Sequence, residues 1–159
     1  MTLRDQTCCF TGHRGIPAEQ IPIIQESLKD AVRGLVGNGG IYYGAGGALG
    51  FDTLAARCIL ELKEEFPQIR LILVLPRLSQ AAKWKEYDQA AYGEIKARVD
   101  KCRYISHEHT RDCMFKRDRH LADNSGTCIC YLTQNRGGTT YTVDYAKGQR
   151  LRIINLADE

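Results

Sequence analysis

Two glycine-rich turns carry most of the chemistry that can be read from this sequence. The first, Gly44-Ala45-Gly46-Gly47-Ala48-Leu49-Gly50-Phe51-Asp52, follows the apolar run Ile41-Tyr42-Tyr43 and leads into a helix-period segment from Thr53 to Phe66. Four glycines in seven residues remove the Cβ atoms that would hold a ligand away from the backbone. Free N–H groups and the positive end of the helix then face one space, which suits a phosphate. The second turn, Arg136-Gly137-Gly138-Thr139-Thr140, adds hydroxyls that can cap a helix and still donate to an anion. His13 and Arg14 follow the first strand and offer an imidazole and a guanidinium fork. The simpler reading, glycine needed for a tight turn's own dihedrals, covers one or two of these glycines and not all of them.

The elements that must position these groups alternate along the chain. Gln6 to Phe10 reads as a strand ending at Thr11-Gly12-His13-Arg14. A helix runs from about Pro17 or Ala18 to Leu35, with Ile21, Ile24, Leu28, Ala31, Val32 and Leu35 on one stripe. Ile41 to Tyr43 is the second strand, and Leu54, Ala55, Cys58, Ile59 and Leu62 line the next helix. The aliphatic run from Arg70 to Leu75 suits a strand covered on both faces. Pro76 to Gln80 turns the chain into helical material around Trp84 and from Tyr87 to about Val99. Further strands are expected at Arg103 to Ser106, Thr127 to Leu132 and Leu151 to Asn155, with helices at Asp112 to Asp123 and about Thr140 to Lys147. Such alternation predicts an α/β fold: a doubly wound, mostly parallel sheet with helices on both faces, as one domain over residues 1–159. Ligands of such sheets sit beyond the carboxyl ends of the strands, where the suspicious loops all fall.

Composition narrows the class. With 159 residues, 43% apolar and 26% charged, the chain reads as one soluble globular domain. The longest apolar run, Leu71 to Pro76, is too short to span a membrane, and the N-terminus lacks a secretory pattern. Seven cysteines, mostly in apolar segments, read as small reduced hydrophobes, so the expected compartment is the cytoplasm. A formal charge of +3 calls for neither nucleic acid nor membrane as partner. Neither glycine turn ends in Gly-Lys-Ser/Thr, which excludes a Walker-type NTPase. The Gly44-x-Gly46-x-x-x-Gly50 spacing imitates a dinucleotide fingerprint, but it follows the second strand, and Pro76-Arg77 stands where a ribose-binding acid belongs. No cofactor is expected.

The combined motifs resemble the SLOG superfamily, the Rossmann-like group that includes DNA-processing protein A and the "lonely guy" (LOG) enzymes, and within it the small YpsA-like branch. The residues carrying the resemblance are Phe10 to Arg14, Gly44 to Ala55, Pro76 with Gln80 and Trp84, Met114 to Arg119, and Gly137 to Thr140. It implies a pocket for a nucleotide or nucleotide-derived ligand, such as an ADP-ribose-type molecule or a nucleoside phosphate, sensed, carried or sequestered, with phosphate at the Gly-Gly-Thr turn. It also implies possible homo-oligomers. LOG enzymes remove the base from nucleoside 5′-monophosphates with an arginine and a glutamate. Arg117 occupies the arginine place and is the catalytic candidate if the chain is an enzyme, while Asp118 replaces the neighbouring lysine. Thr142 or Val143 falls where the glutamate belongs, and Asp144 one residue further on. Threonine cannot stabilise an oxocarbenium-like state or activate water, which weakens the hydrolase alternative unless Asp52 or Asp123 substitutes. Single-stranded DNA binding, by analogy with DNA-processing protein A, is the second alternative; the mild charge and lone tryptophan speak against it.

Each candidate has a plainer role available. Asp52 is either a favourable acid on a helix dipole or a contact for a ribose hydroxyl. Trp84, with Gln80 one helical turn earlier, either stacks on a base or packs at the rim of the core. Arg117 and Arg119 would by default be surface arginines on a helix packing Met114, Leu121 and Phe115. Cys102, His107, His109 and Cys113 lack a paired metal-ligand spacing, so no metal site is expected.

Overall fold

A computed structural model describes residues 1–134 and 137–158. Six strands, β1 (Thr7–Gly12), β2 (Tyr42–Ala45), β3 (Arg70–Arg77), β4 (Lys101–Ser106), β5 (Thr127–Tyr131) and β6 (Arg152–Asn155), form one sheet in the order β4-β3-β2-β1-β5-β6. Every pairing is parallel, so the sheet is wholly rather than mostly so. Five α-helices connect them: α1 (Ile21–Gly37), α2 (Phe51–Glu65), α3 (Glu86–Arg98), α4 (Cys113–Asp123) and α5 (Gly138–Gly148). Helices α1, α2 and α3 cover one face of the sheet, and α4 and α5 the other. The fold is Rossmann-like α/β, as expected.

The strands alternate between the two cores. Leu71, Leu73 and Leu75 of β3 are buried with α1 and α2, while Val74, with Ile72 packed alongside, faces the α4 side. Ile24, Leu28 and Val32, spaced by four, are the buried stripe of α1. Pro22 sits in its first turn, where the missing N–H would have had no partner, and the segment Ala18–Gln20 before it is a 3₁₀ turn. All seven cysteines are free thiols, and six are buried. Burial raises the Cys8, Cys58 and Cys130 thiols above the usual range, so they act as small core residues.

Several boundaries differ from the sequence reading, among them β4, which starts at Lys101 rather than Arg103, and α1, which starts at Ile21. Strand β1 continues through Thr11 and Gly12, which pair with Cys130 and Tyr131. Strand β2 continues through Gly44 and Ala45, which pair with Ile72 and Leu73, so two residues of the expected loop belong to the sheet. Strand β3 runs to Arg77, carrying Pro76 past the last residue that β2 pairs, where a missing N–H costs no ladder bond on that side. Trp84 lies on successive turns before α3, not on a helix; Gln89 holds those turns by donating to the carbonyls of Ala81 and Ala82. No helix among the described residues is long and apolar enough to cross a membrane.

Candidate functional site

Chain order reverses between β1 and β5: strands 1 to 4 run outward to one side, then the chain returns to lay β5 against the other edge of β1. A crevice opens at the carboxyl ends of such neighbours because their following loops diverge. Here it holds a cavity of about 440 Å³ lined by the end of β1, the glycine loop before α2, the start of α4 and the first turn of α5. The segments around residues 12, 46 and 138 therefore come to one rim of the sheet, through Gly12, Ala48 and Gly138.

The floor is a buried charge cluster. Arg117 is only 4% exposed; its guanidinium donates to the carbonyl of Gly46 and, through Nε, to Asp118 Oδ1 at 2.6 Å. The other Asp118 oxygen accepts from the Thr142 hydroxyl at 2.9 Å, and that hydroxyl also reaches the Gly138 carbonyl. Asp52 lies in the first turn of α2, where its Oδ2 accepts the Ala48 N–H at 3.2 Å. Burial pushes its pKa up to about 6, and Arg117 opposes the rise while Asp118 adds to it. Arg117 thus ties α4 to the glycine loop, and Thr142 is spent on holding α4 to α5.

The glycines of the first loop each make room for a neighbour. A Cβ on Gly46 would come 2.5 Å from Arg117 Nη1, and one on Gly44 would come 2.8 Å from Leu121 Cδ2. Gly47 and Gly50 have φ of +72° and +78°, and a Cβ on Gly50 would collide with the backbone of Arg14. Gly12 is closed over by the Phe51 ring. Gly44 and Ala45 lie inside the sheet, and neither they nor Gly46, Gly47 and Gly50 line the cavity. At the second turn the situation reverses. Gly137 has φ +92°, and a Cβ on Gly137 or Gly138 would meet nothing within 4 Å. Gly138 and Thr139 line the cavity; Thr140 instead donates to the Gln134 carbonyl, and Arg136 lies outside the described residues.

His13 and Arg14 border the cavity, with His13 Nε2 accepting the Thr133 N–H at 2.9 Å, which leaves Nδ1 to carry the proton. The tryptophan region is elsewhere. Trp84 meets Tyr92 edge-to-face at 5.1 Å in a separate crevice of about 30 Å³, too small for more than a water. Gln80 is buried and donates to the Gly47 carbonyl, and Pro76 is part of β3. Gln80 braces the glycine loop, and none of the three lines the larger cavity. Asp123 is exposed and bonded to the Tyr145 hydroxyl, away from it as well.

Other residues enter that the sequence reading did not place at the site. Thr110, Arg111, Met114 and Phe115 line the cavity. Met114 and Phe115, expected to pack inward, are 38% and 41% exposed, with Phe115 edge-to-face on Tyr141 at 4.5 Å. Helix periodicity was the available signal: Cys113, Arg117 and Leu121, spaced by four, are the buried stripe, which turns 114 and 115 outward. The cations Arg14, Arg111 and Arg117 outnumber the acids Asp52 and Asp118 around the cavity. Among the described residues no cluster of three or more metal-ligating side chains occurs.

A wholly parallel, doubly wound sheet with a cavity bordered by Arg14, Arg111 and Arg117 over its switch point defines a Rossmann-like α/β protein. Residues 9–154 match the YspA SLOG family (YpsA), and the chain belongs to it. A UPF0398 protein of Brevibacillus brevis is 32% identical over 98 residues, covering 60% of this chain and 52% of its own length. Another, from Halalkalibacterium halodurans, is 25% identical over 138 residues, covering 85% of this chain and 70% of its own. Among solved structures, DNA processing protein A of Helicobacter pylori, described for its single-stranded DNA binding mode, superposes with a TM-score of 0.67 at 18% identity. That of Streptococcus pneumoniae gives 0.68 at 14%. Both superpositions cover 95% of this chain, and 66% and 50% of those chains respectively. The chain thus spans about half to two-thirds of several relatives, and at these identities the solved structures establish the shared fold.

Proposed function

We propose that this protein binds a nucleotide or nucleotide-derived anion, of the ADP-ribose or nucleoside-phosphate type, in the cavity over the β1/β5 switch point. The observation that carries the reading is the unobstructed start of α5 at Gly137 and Gly138, facing a cavity bordered by Arg14 and Arg111. First-turn N–H groups and two guanidinium forks suit a phosphate or pyrophosphate. Exposed Met114 and Phe115 supply an apolar flank for a base, and a volume of about 440 Å³ lies within the range of small-molecule sites.

Two rival readings rest on their own observations. Asp52, with its pKa near 6 on the cavity floor, is the acid best suited to activate water for N-glycoside cleavage, since neither Thr142 nor Val143, the residues that match the LOG glutamate's place, is an acid. Likeness in fold to DNA processing protein A supports single-stranded DNA as ligand. Calorimetry of ADP-ribose, AMP, inorganic phosphate and a thymidine oligomer decides among them. Tighter binding of a nucleotide than of phosphate, weakened by Arg111→Ala, is expected; no gain over phosphate overturns the proposal. Release of free base, lost in Asp52→Asn, establishes the hydrolase. Preferential, steeply salt-dependent oligomer binding establishes the DNA reading.

A further inference from the structure

A second cavity, of about 450 Å³, opens on the α4 side of the sheet toward the amino ends of the strands. Its floor follows the sheet register: Gly44 lies beside Ile72, which lies beside Lys101, and Val74 lies beside Arg103. Lys101 and Arg103, two apart on β4, project to the same side. His120 of α4, close enough to feel both charges, and Tyr42 of β2 also line the cavity. No acidic side chain is among its lining residues.

The polar lining groups divide into two sets. Thr7, Ser125 and Asn124 spend their donors on the carbonyls of Leu3, Leu121 and His120. Lys101, Arg103 and the Tyr42 hydroxyl make no hydrogen bond or ion pair with the described residues. Burial holds the His120 imidazole below its usual pKa, and Arg103 and then Lys101 push the same way, while Asp123 opposes them. The two cations repel one another over an apolar floor, with no acid among the lining to relieve them. An anion would relieve them, and a flat apolar body would cover Ile72 and Val74.

We propose that this cavity is a binding site for a small aromatic anion, its carboxylate, sulfonate or phosphate held by Lys101 and Arg103 and its ring laid on Ile72 and Val74. Charge on an edge strand also deters strand pairing, but that role requires neither an apolar floor nor a neighbouring histidine. Because bound anion favours imidazolium at His120, affinity rises as pH falls. The site is independent of the nucleotide reading, sharing no lining residue with the cavity over the β1/β5 switch point.

The test is a nitrogen-edited NMR titration of the full chain with anilinonaphthalene sulfonate and with uncharged phenylnaphthylamine. Saturable shifts of the Tyr42, Ile72, Lys101, Arg103 and His120 amides are expected with the sulfonate. Joint Lys101→Ala and Arg103→Ala substitution should weaken it about tenfold or more, and Ile72→Trp, filling the floor, should block it while leaving shifts at Arg14 and Phe115 unchanged. His120→Gln should remove the tightening at low pH. Equal affinity for the uncharged compound, undiminished binding in the double variant, or shifts confined to residues 110–118 would overturn the proposal.

Discussion

The two glycine turns look alike in sequence and do opposite things in the fold. The turn at Gly46 to Gly50 is filled by the protein itself: Arg117, Leu75 and the backbone of Arg14 occupy the space that its missing side chains leave. The turn at Gly137 and Gly138 opens onto solvent and the cavity. The difference separates two uses of glycine, one that lets protein approach protein and one that leaves a helix N-terminus exposed. The richer turn packs against the floor of the cavity, and the poorer one leaves a helix start open at its edge.

Removing what fills the first turn gives the largest expected effect. Arg117→Ala leaves Asp118 and Asp52 without their buried cation and should cost about 3 to 5 kcal/mol, read as a fall in the urea midpoint. A near-neutral result would mean that the first turn does not depend on its occupant. Gly50→Ala combines a left-handed φ with a backbone collision that no rotamer relieves, so about 3 kcal/mol is expected by the same measurement.

Asp52 offers a pH-dependent version of the same contrast. Its folded pKa, about 6, stands above the ordinary carboxyl value of 3.8, so its ionisation costs stability. The cost is fully present above pH 6 and is relieved as pH falls toward 4. Asp52→Asn, whose side-chain carbonyl can still accept the Ala48 N–H, should therefore be more stable than the unsubstituted chain at pH 7.5, by as much as about 3 kcal/mol. That advantage should shrink on acidification; one that grew would refute the assignment. Smallest of all is Gly138→Ala, with no collision and an ordinary φ, expected to shift stability by less than about 1 kcal/mol, in the stabilising direction. If it also weakens nucleotide binding in calorimetry, the two turns are separated into a structural and a ligand-facing one.

Elements were legible where a period or a run was long. The stripe Ile24, Leu28, Val32 and the run Leu71 to Leu75 gave the existence and type of α1 and β3, with ends off by up to four residues. Ends were less so: Gly44 and Ala45 carry no strand propensity, and only pairing with Ile72 and Leu73 makes them part of β2. Within the site, Gly12, His13, Arg14, Asp52, Arg117, Gly138 and Thr139 were named from motifs and do border one cavity. Trp84 and Gln80 were drawn to it by the family resemblance and by residue type; neither reports that Gln80 is spent on the Gly47 carbonyl and that Trp84 lines a separate crevice.

Local chemistry in the chain determined the alternation of strands and helices, the family, and which turns end those strands, because periodicity and glycine placement act over a few residues. Which turn is filled and which is open depended on Arg117, 71 residues from Gly46 in sequence, reaching across the sheet edge. Only the packed fold decides that, since a side chain's direction and the space it takes are set by neighbours far along the chain.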